Sequence, residues 1–245
     1  MANWNDPRAT AAGFPTSATQ MDAAVDAGLR SYMLSVYNYM ASGVLLTGIV
    51  ALLFSQWEGA PALLFGPGPV KWIIMLAPLA FVMVLSFGIH KLSTVAAQAL
   101  YWVYAAVMGV SMASIFFVFT NTSIAQTFFA TAAAFLGLSL YGYTTKRDLS
   151  GFGTFLIMGV IGILVAMLLN AFIFQSGALA MAISVLGVLI FAGLTAYDTQ
   201  KIKSMYFYVQ GTDFVGKSVI MGALTLYLDF VNMFTFLLQL FGSRE

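Results

Sequence analysis

Apolar residues run along this chain in long blocks, and sparse polar clusters separate them. From Leu92 to Thr145 there is no Asp, Glu, Lys or Arg over 54 residues, and from Leu149 to Tyr197 none over 49. One membrane-crossing helix takes about 20 residues, so each run holds two spans joined by a tight turn. Asn121-Thr122-Ser123 and Gln175-Ser176-Gly177, rich in turn formers, mark those turns. Over the whole chain the pattern predicts seven spans, at about 33–54, 71–89, 95–119, 124–143, 152–174, 178–197 and 218–241. Pro78 lies inside the second and should kink it or free a carbonyl. Small residues four apart, Gly109/Ala113, Ala133/Gly137, Gly162/Ala166 and Ala192/Ala196, let helix backbones approach closely in lipid.

Composition agrees. Hydrophobic residues make up 61% of the 245 and charged residues 8%, where a soluble domain carries about 25% charged. The expectation is an all-α integral membrane protein, a seven-helix bundle over 31–245 whose constant partner is the lipid bilayer. Residues 1–30 read as a polar, mostly disordered cytoplasmic tail, with helix entering at about Met21. A net charge of +1 excludes a basic field for nucleic acid. Without cysteine, and with one histidine, disulfides, thiolate sites and histidine metal clusters are excluded too.

Lys and Arg set the expected orientation. Arg8, Arg30, Lys91, Lys146, Arg147, Lys201, Lys203 and Lys217 fall on the side of the tail, and only Lys71 and Arg244 on the other. That asymmetry puts the N-terminus in the cytoplasm and the C-terminus outside. Trp57 and Trp72 flank the largest external loop as interface anchors. Compact loops and no targeting segment suit a bacterial inner membrane.

Few ionisable groups remain at lipid depth. His90 and Lys91 end the second span, Asp198 ends the sixth, and Asp229 lies inside the seventh. A carboxylate at a helix centre costs about 2.5–3.5 kcal/mol on insertion scales, so Asp229 must face the bundle. Thr225 and Asn232, four before and three after, share its face. If Asp198 and Asp229 meet, they resist double ionisation and titrate as a coupled pair able to share a proton. Deprotonated, the pair offers hard oxygens suited to Ca²⁺, so protons and cation compete. A basic neighbour, His90 or Lys91, would latch the pair. Contact has a geometric condition: Asp229 lies about 18 Å of helical rise beyond Lys217, whereas Asp198 is three residues before Lys201. Either helix six continues through Lys201 and Lys203, or helix seven starts well inside the cytoplasm.

The seven spans, with Leu-Thr-Ala-Tyr-Asp198-Thr-Gln-Lys-Ile on the sixth and Ala-Leu-Thr-Leu-Tyr-Leu-Asp229-Phe-Val-Asn232-Met-Phe on the seventh, resemble the transmembrane Bax inhibitor motif family over about 30–242. The resemblance implies a bundle with helix seven central and six helices around it. It also implies that Asp198 and Asp229 form a pH-sensitive pair near the cytoplasmic mouth, gating a Ca²⁺ leak. Family members bring an arginine from an early helix to the pair; helix two has none here, and His90 or Lys91 stands in. The implied function is a pH-modulated Ca²⁺ leak channel or passive transporter, with Ca²⁺ and protons as its ligands, no cofactor and no enzymatic activity. No phosphate-loop motif supports pumping.

Three other readings compete. A regulatory membrane protein that binds a partner such as a membrane protease, without transport, would use the tail 1–30 for docking. Intramembrane aspartyl proteases share the Tyr197-Asp198 pattern, but their second aspartate follows a glycine and here Tyr227-Leu228 precedes Asp229. No proline follows Asp229 either. A light-driven pump needs a Schiff-base lysine in helix seven, and 218–241 contains none.

Overall fold

Residues 17–244 are described by a computed structural model, with side chains from residue 23 onward. Eight α-helices follow in chain order: α1 (Ser17–Ser55), α2 (Ala60–Phe65), α3 (Val70–Gly88), α4 (Thr94–Met112), α5 (Asn121–Thr144), α6 (Ser150–Leu169), α7 (Gly177–Val209) and α8 (Val215–Phe241). All but the short α2 are long and apolar enough to cross a membrane. The all-α, seven-span expectation holds, and the protein is an integral membrane protein.

Several boundaries moved, each for a local reason. Helix α1 begins at Ser17, so the latter half of the polar arm is helical, and residues 1–16 lie outside the described residues. Asn121-Thr122-Ser123 is the first turn of α5, not a turn between spans, because Thr120 caps it by accepting from Ser123 N at 3.3 Å. Ser176 caps α7 in the same way, with Gln175 left-handed at φ 46° before it, so that turn stands where expected. The largest change is in α7, which runs twelve residues past Tyr197. Ile202, Tyr206 and Val209 are buried at helical spacing and keep it packed. Gly211, at φ 75°, supplies the positive-φ turn that ends the extension. The 202–217 segment is therefore helix except for 210–214.

Pro78 is buried inside an otherwise continuous α3. A proline cannot donate to the carbonyl four residues earlier. That carbonyl, of Ile74, accepts the Ser111 hydroxyl from α4 instead, so the freed group is satisfied within the bundle.

Helix α8 is the centre. It packs on α1, α4, α5 and α7, while α3 lies against α4 and α6 against α7. Helix seven is central, as expected, but the ring of six resolves into four inner helices and two outer ones. Of the small-residue pairs, Gly109 serves close packing: a Cβ there would meet the Thr47 carbonyl at 2.8 Å. Gly137 and Gly162 face open space, so spacing alone overstated them. Of the pair Ala192/Ala196, Ala196 does serve a close seam, but its partner is Gly142 of α5, which sits against the Ala196 carbonyl. At the far end the C-terminus pairs back, Thr120 N donating to Ser243 O at 2.9 Å.

Candidate functional site

Helices α7 and α8 form an antiparallel hairpin through the 210–214 turn. Asp198 lies eleven residues before the end of α7 and Asp229 fourteen after the start of α8. At 1.5 Å per residue these are about 17 and 21 Å from the turn, a difference of less than one helical turn. The extension of α7 is what brings the two to similar depth, which answers the geometric condition through helix six. Both are buried, Asp198 at 9% exposure and Asp229 at 4%. Lys201 lies three residues on from Asp198, one turn along the same helix. Asp229 Oδ2 is fully buried and has no hydrogen-bond partner among the described residues.

Asp198 opens onto a cavity of about 340 Å³ at the Lys/Arg-rich end of the bundle. Thr225, Ser218, Tyr32, His90 and Lys201 share its wall. Tyr32 Oη and Ser218 Oγ, 2.7 Å apart, tie α1 to α8 across it. His90 stacks on Phe214, centroids 5.4 Å apart and planes at 16°, so an aromatic pair borders the cavity. On the other side of Asp198, Thr199 Oγ1 lies 3.3 Å from Ser139 Oγ of α5.

The candidate residues thus divide. Asp198, Thr225 and His90 come together on the cavity, and Asp229 lies behind it in the core. Lys91 is exposed on the turn after α3 and does not line the cavity. Asn232 gives its Nδ2 to the Leu228 carbonyl of its own helix at 2.8 Å. Lys201 lines the cavity beside His90, whereas the sequence pointed to it as a marker of sidedness and of where helix six ends, not as a neighbour of the pair. Its i, i+3 spacing from Asp198 was the available signal. Lys203 turns away and donates to the Tyr143 carbonyl at 2.8 Å, over that ring at 4.8 Å.

Two carboxylates with nearby hydroxyls give a cation few ligands, where Ca²⁺ takes 6–8 oxygens. Among the described residues no three of His, Cys, Asp and Glu gather as a metal cluster. The arrangement offers too few oxygens for tight chelation of Ca²⁺. From Asp229 toward the far end, α8 buries Phe230, Val231, Met233, Phe234, Phe236 and Leu238, an apolar plug beyond the carboxylates.

Known proteins are similar to this chain in sequence. The profile of a family described as inhibitor of apoptosis-promoting Bax1 matches residues 29–245. Escherichia coli inner membrane protein YbhL is 48% identical over 89% of this chain and 94% of its own length. Uncharacterized proteins of Rickettsia prowazekii and Caulobacter vibrioides are each 46% identical, over 93% of this chain and 95% and 94% of their own lengths. None of these three carries an enzymatic name.

Proposed function

Because the chain belongs to the family of inhibitors of apoptosis-promoting Bax1, a premise that sets it among multi-span membrane proteins, we propose that it is a passive, pH-modulated Ca²⁺ pathway with Asp198 and Asp229 as its gate. One observation carries the reading: two buried carboxylates on adjoining antiparallel helices at nearly one depth, with Asp198 open to a polar-rimmed cavity at the basic end. In the expected orientation that end is cytoplasmic. Intramembrane carboxylates are costly and mark ion or proton paths. When the pair holds a proton, its attraction for a divalent ion falls; when it is ionised, Ca²⁺ competes for the same oxygens. Lys201 offers an internal cation to Asp198, and His90 stands at the rim of the same cavity. The buried aromatic and aliphatic stretch of α8 beyond Asp229 must move for ions to cross.

The test is Ca²⁺ influx into indicator-loaded liposomes holding the purified chain, from pH 6 to 8. Wild type should leak in a pH-dependent way, and Asp198→Asn and Asp229→Asn should each flatten that dependence. A wild type no leakier than empty liposomes at every pH would end the transport reading. Flux that neither substitution changes would leave transport standing and remove the assignment of the site.

A further inference from the structure

A second feature at the basic end lies on the outside of the bundle. Helices α1 and α5 each pack on α8 but form no packed seam with one another. Between them runs a groove of about 490 Å³. Its floor is apolar, with Leu34, Leu136 and Leu140 exposed at 52%, 66% and 64%. Its rim is different in kind. Arg30 and Tyr143 line it, and Lys203 from α7 reaches Tyr143, giving its Nζ to that residue's carbonyl. Tyr143 is the penultimate residue of α5, so the rim lies at the end of that membrane-crossing helix. Leu136, seven residues earlier, lies about 10 Å deeper.

We propose that this groove is a binding site for one anionic phospholipid of the leaflet at the Lys/Arg-rich end. The acyl chain fills the apolar floor between α1 and α5. The phosphate sits between the Arg30 guanidinium and the Lys203 ammonium, with the Tyr143 ring at headgroup level. Charge selects the occupant. Basic pockets between spans take anionic headgroups, at about 1 kcal/mol for each Lys or Arg near the surface. A planar guanidinium also matches a phosphate with two parallel hydrogen bonds. Tyrosine belongs at this depth because one end of its ring is apolar and the other wet. A second copy of this chain would have to bury Arg30 in the same contact, which disfavours it as the occupant. The site stands apart from the Ca²⁺ reading, although Ser139, which meets Thr199 beside Asp198, lines the same groove.

The experiment uses the full chain in detergent with equal phosphatidylglycerol and phosphatidylcholine of identical acyl chains. Native mass spectrometry reads which lipid is retained. Wild type should keep phosphatidylglycerol in preference, and Arg30→Gln and Lys203→Gln should each reduce the preference about fivefold. Lys91→Gln, at the end of α3 away from the groove, should leave it unchanged. Position is read separately: in Leu136→Trp, brominated phosphatidylglycerol should quench the added fluorescence more than brominated phosphatidylcholine, and adding Arg30→Gln should erase the difference. Equal retention of both lipids overturns the proposal. So does a loss in Lys91→Gln as large as in Arg30→Gln, which would mean diffuse surface charge, or a lipid-free dimer cross-linked through Leu136→Cys.

Discussion

Helix α6 carries no charged residue and is the more apolar of two helices worth comparing; α8 carries Lys217 and Asp229. In water the apolar helix would be the core. Here 72% of the membrane-crossing stretch of α8 is buried inside the protein and only 11% of that of α6. Lipid tails are as apolar as leucine, so α6 gains no hydrophobic energy by moving inward. Helix α8 has no such freedom. Asp229, Thr225 and Asn232 have to be kept from the acyl chains, and the other helices close over them. In a bilayer, polarity draws a helix to the centre and featureless apolarity leaves it outside.

The comparison breaks most visibly if a carboxylate is moved from one helix to the other. Leu164, near the middle of the 150–174 span that α6 begins, is 55% exposed on its outer face. Leu164→Asp should cost about 2.5–3.5 kcal/mol of insertion, read as loss of membrane-integrated, folded protein. If the variant accumulates like wild type, the face of α6 is covered by something other than lipid and its peripheral place needs another explanation.

A glycine pair sharpens the same contrast. Gly187 of α7 faces the Phe236 ring of α8, where an added Cβ would come within 2.6 Å, while Gly162 of α6 faces open space. Gly187→Leu should therefore overpack the central seam and lower stability by about 1–3 kcal/mol. Gly162→Leu should stay within about 0.5 kcal/mol of wild type. Thermal midpoints of the two purified variants check this, and equal losses would mean that the inner and outer seams are equally tight.

These two substitutions also mark how far the sequence could be read. The seven spans were legible because charge is so rare that Lys91, Lys146 and Lys217 punctuate the chain. Asp229 was legible as a bundle-facing residue, since a lone carboxylate amid leucines has nowhere else to go. The end of α7 was not, because Asp198, Lys201 and Lys203 look like an exit from the membrane. In fact Lys203 bends back to the Tyr143 carbonyl while Ile202, Tyr206 and Val209 keep the helix packed. That misreading hid the shared depth of Asp198 and Asp229. Nor could spacing tell Gly142, pressed against α7, from Gly162, which touches nothing. The difference lies in which helix is the neighbour, and that is a tertiary fact.

The smallest effect concerns how the outer helix starts. Asp148 lies just ahead of α6, in water, and accepts hydrogen bonds from the Ser150 amide, at 2.9 Å, and the Ser150 hydroxyl. Those two donors hold its carboxyl below the usual carboxylate range. The folded form therefore prefers the ionised group, and the contribution is present above the unfolded pKa of about 4. It is lost as pH falls through the lower folded value. Full exposure keeps it small, because water screens the charge. Hydrogen exchange at the first amides of α6 is the sensitive readout. Near neutral pH, Asp148→Asn should speed exchange there and nowhere in α8, and in strong acid it should exchange like wild type. An effect reaching α8 would mean that the outer helix is coupled to the core through more than its seam with α7, and the division between an inner and an outer layer would fail.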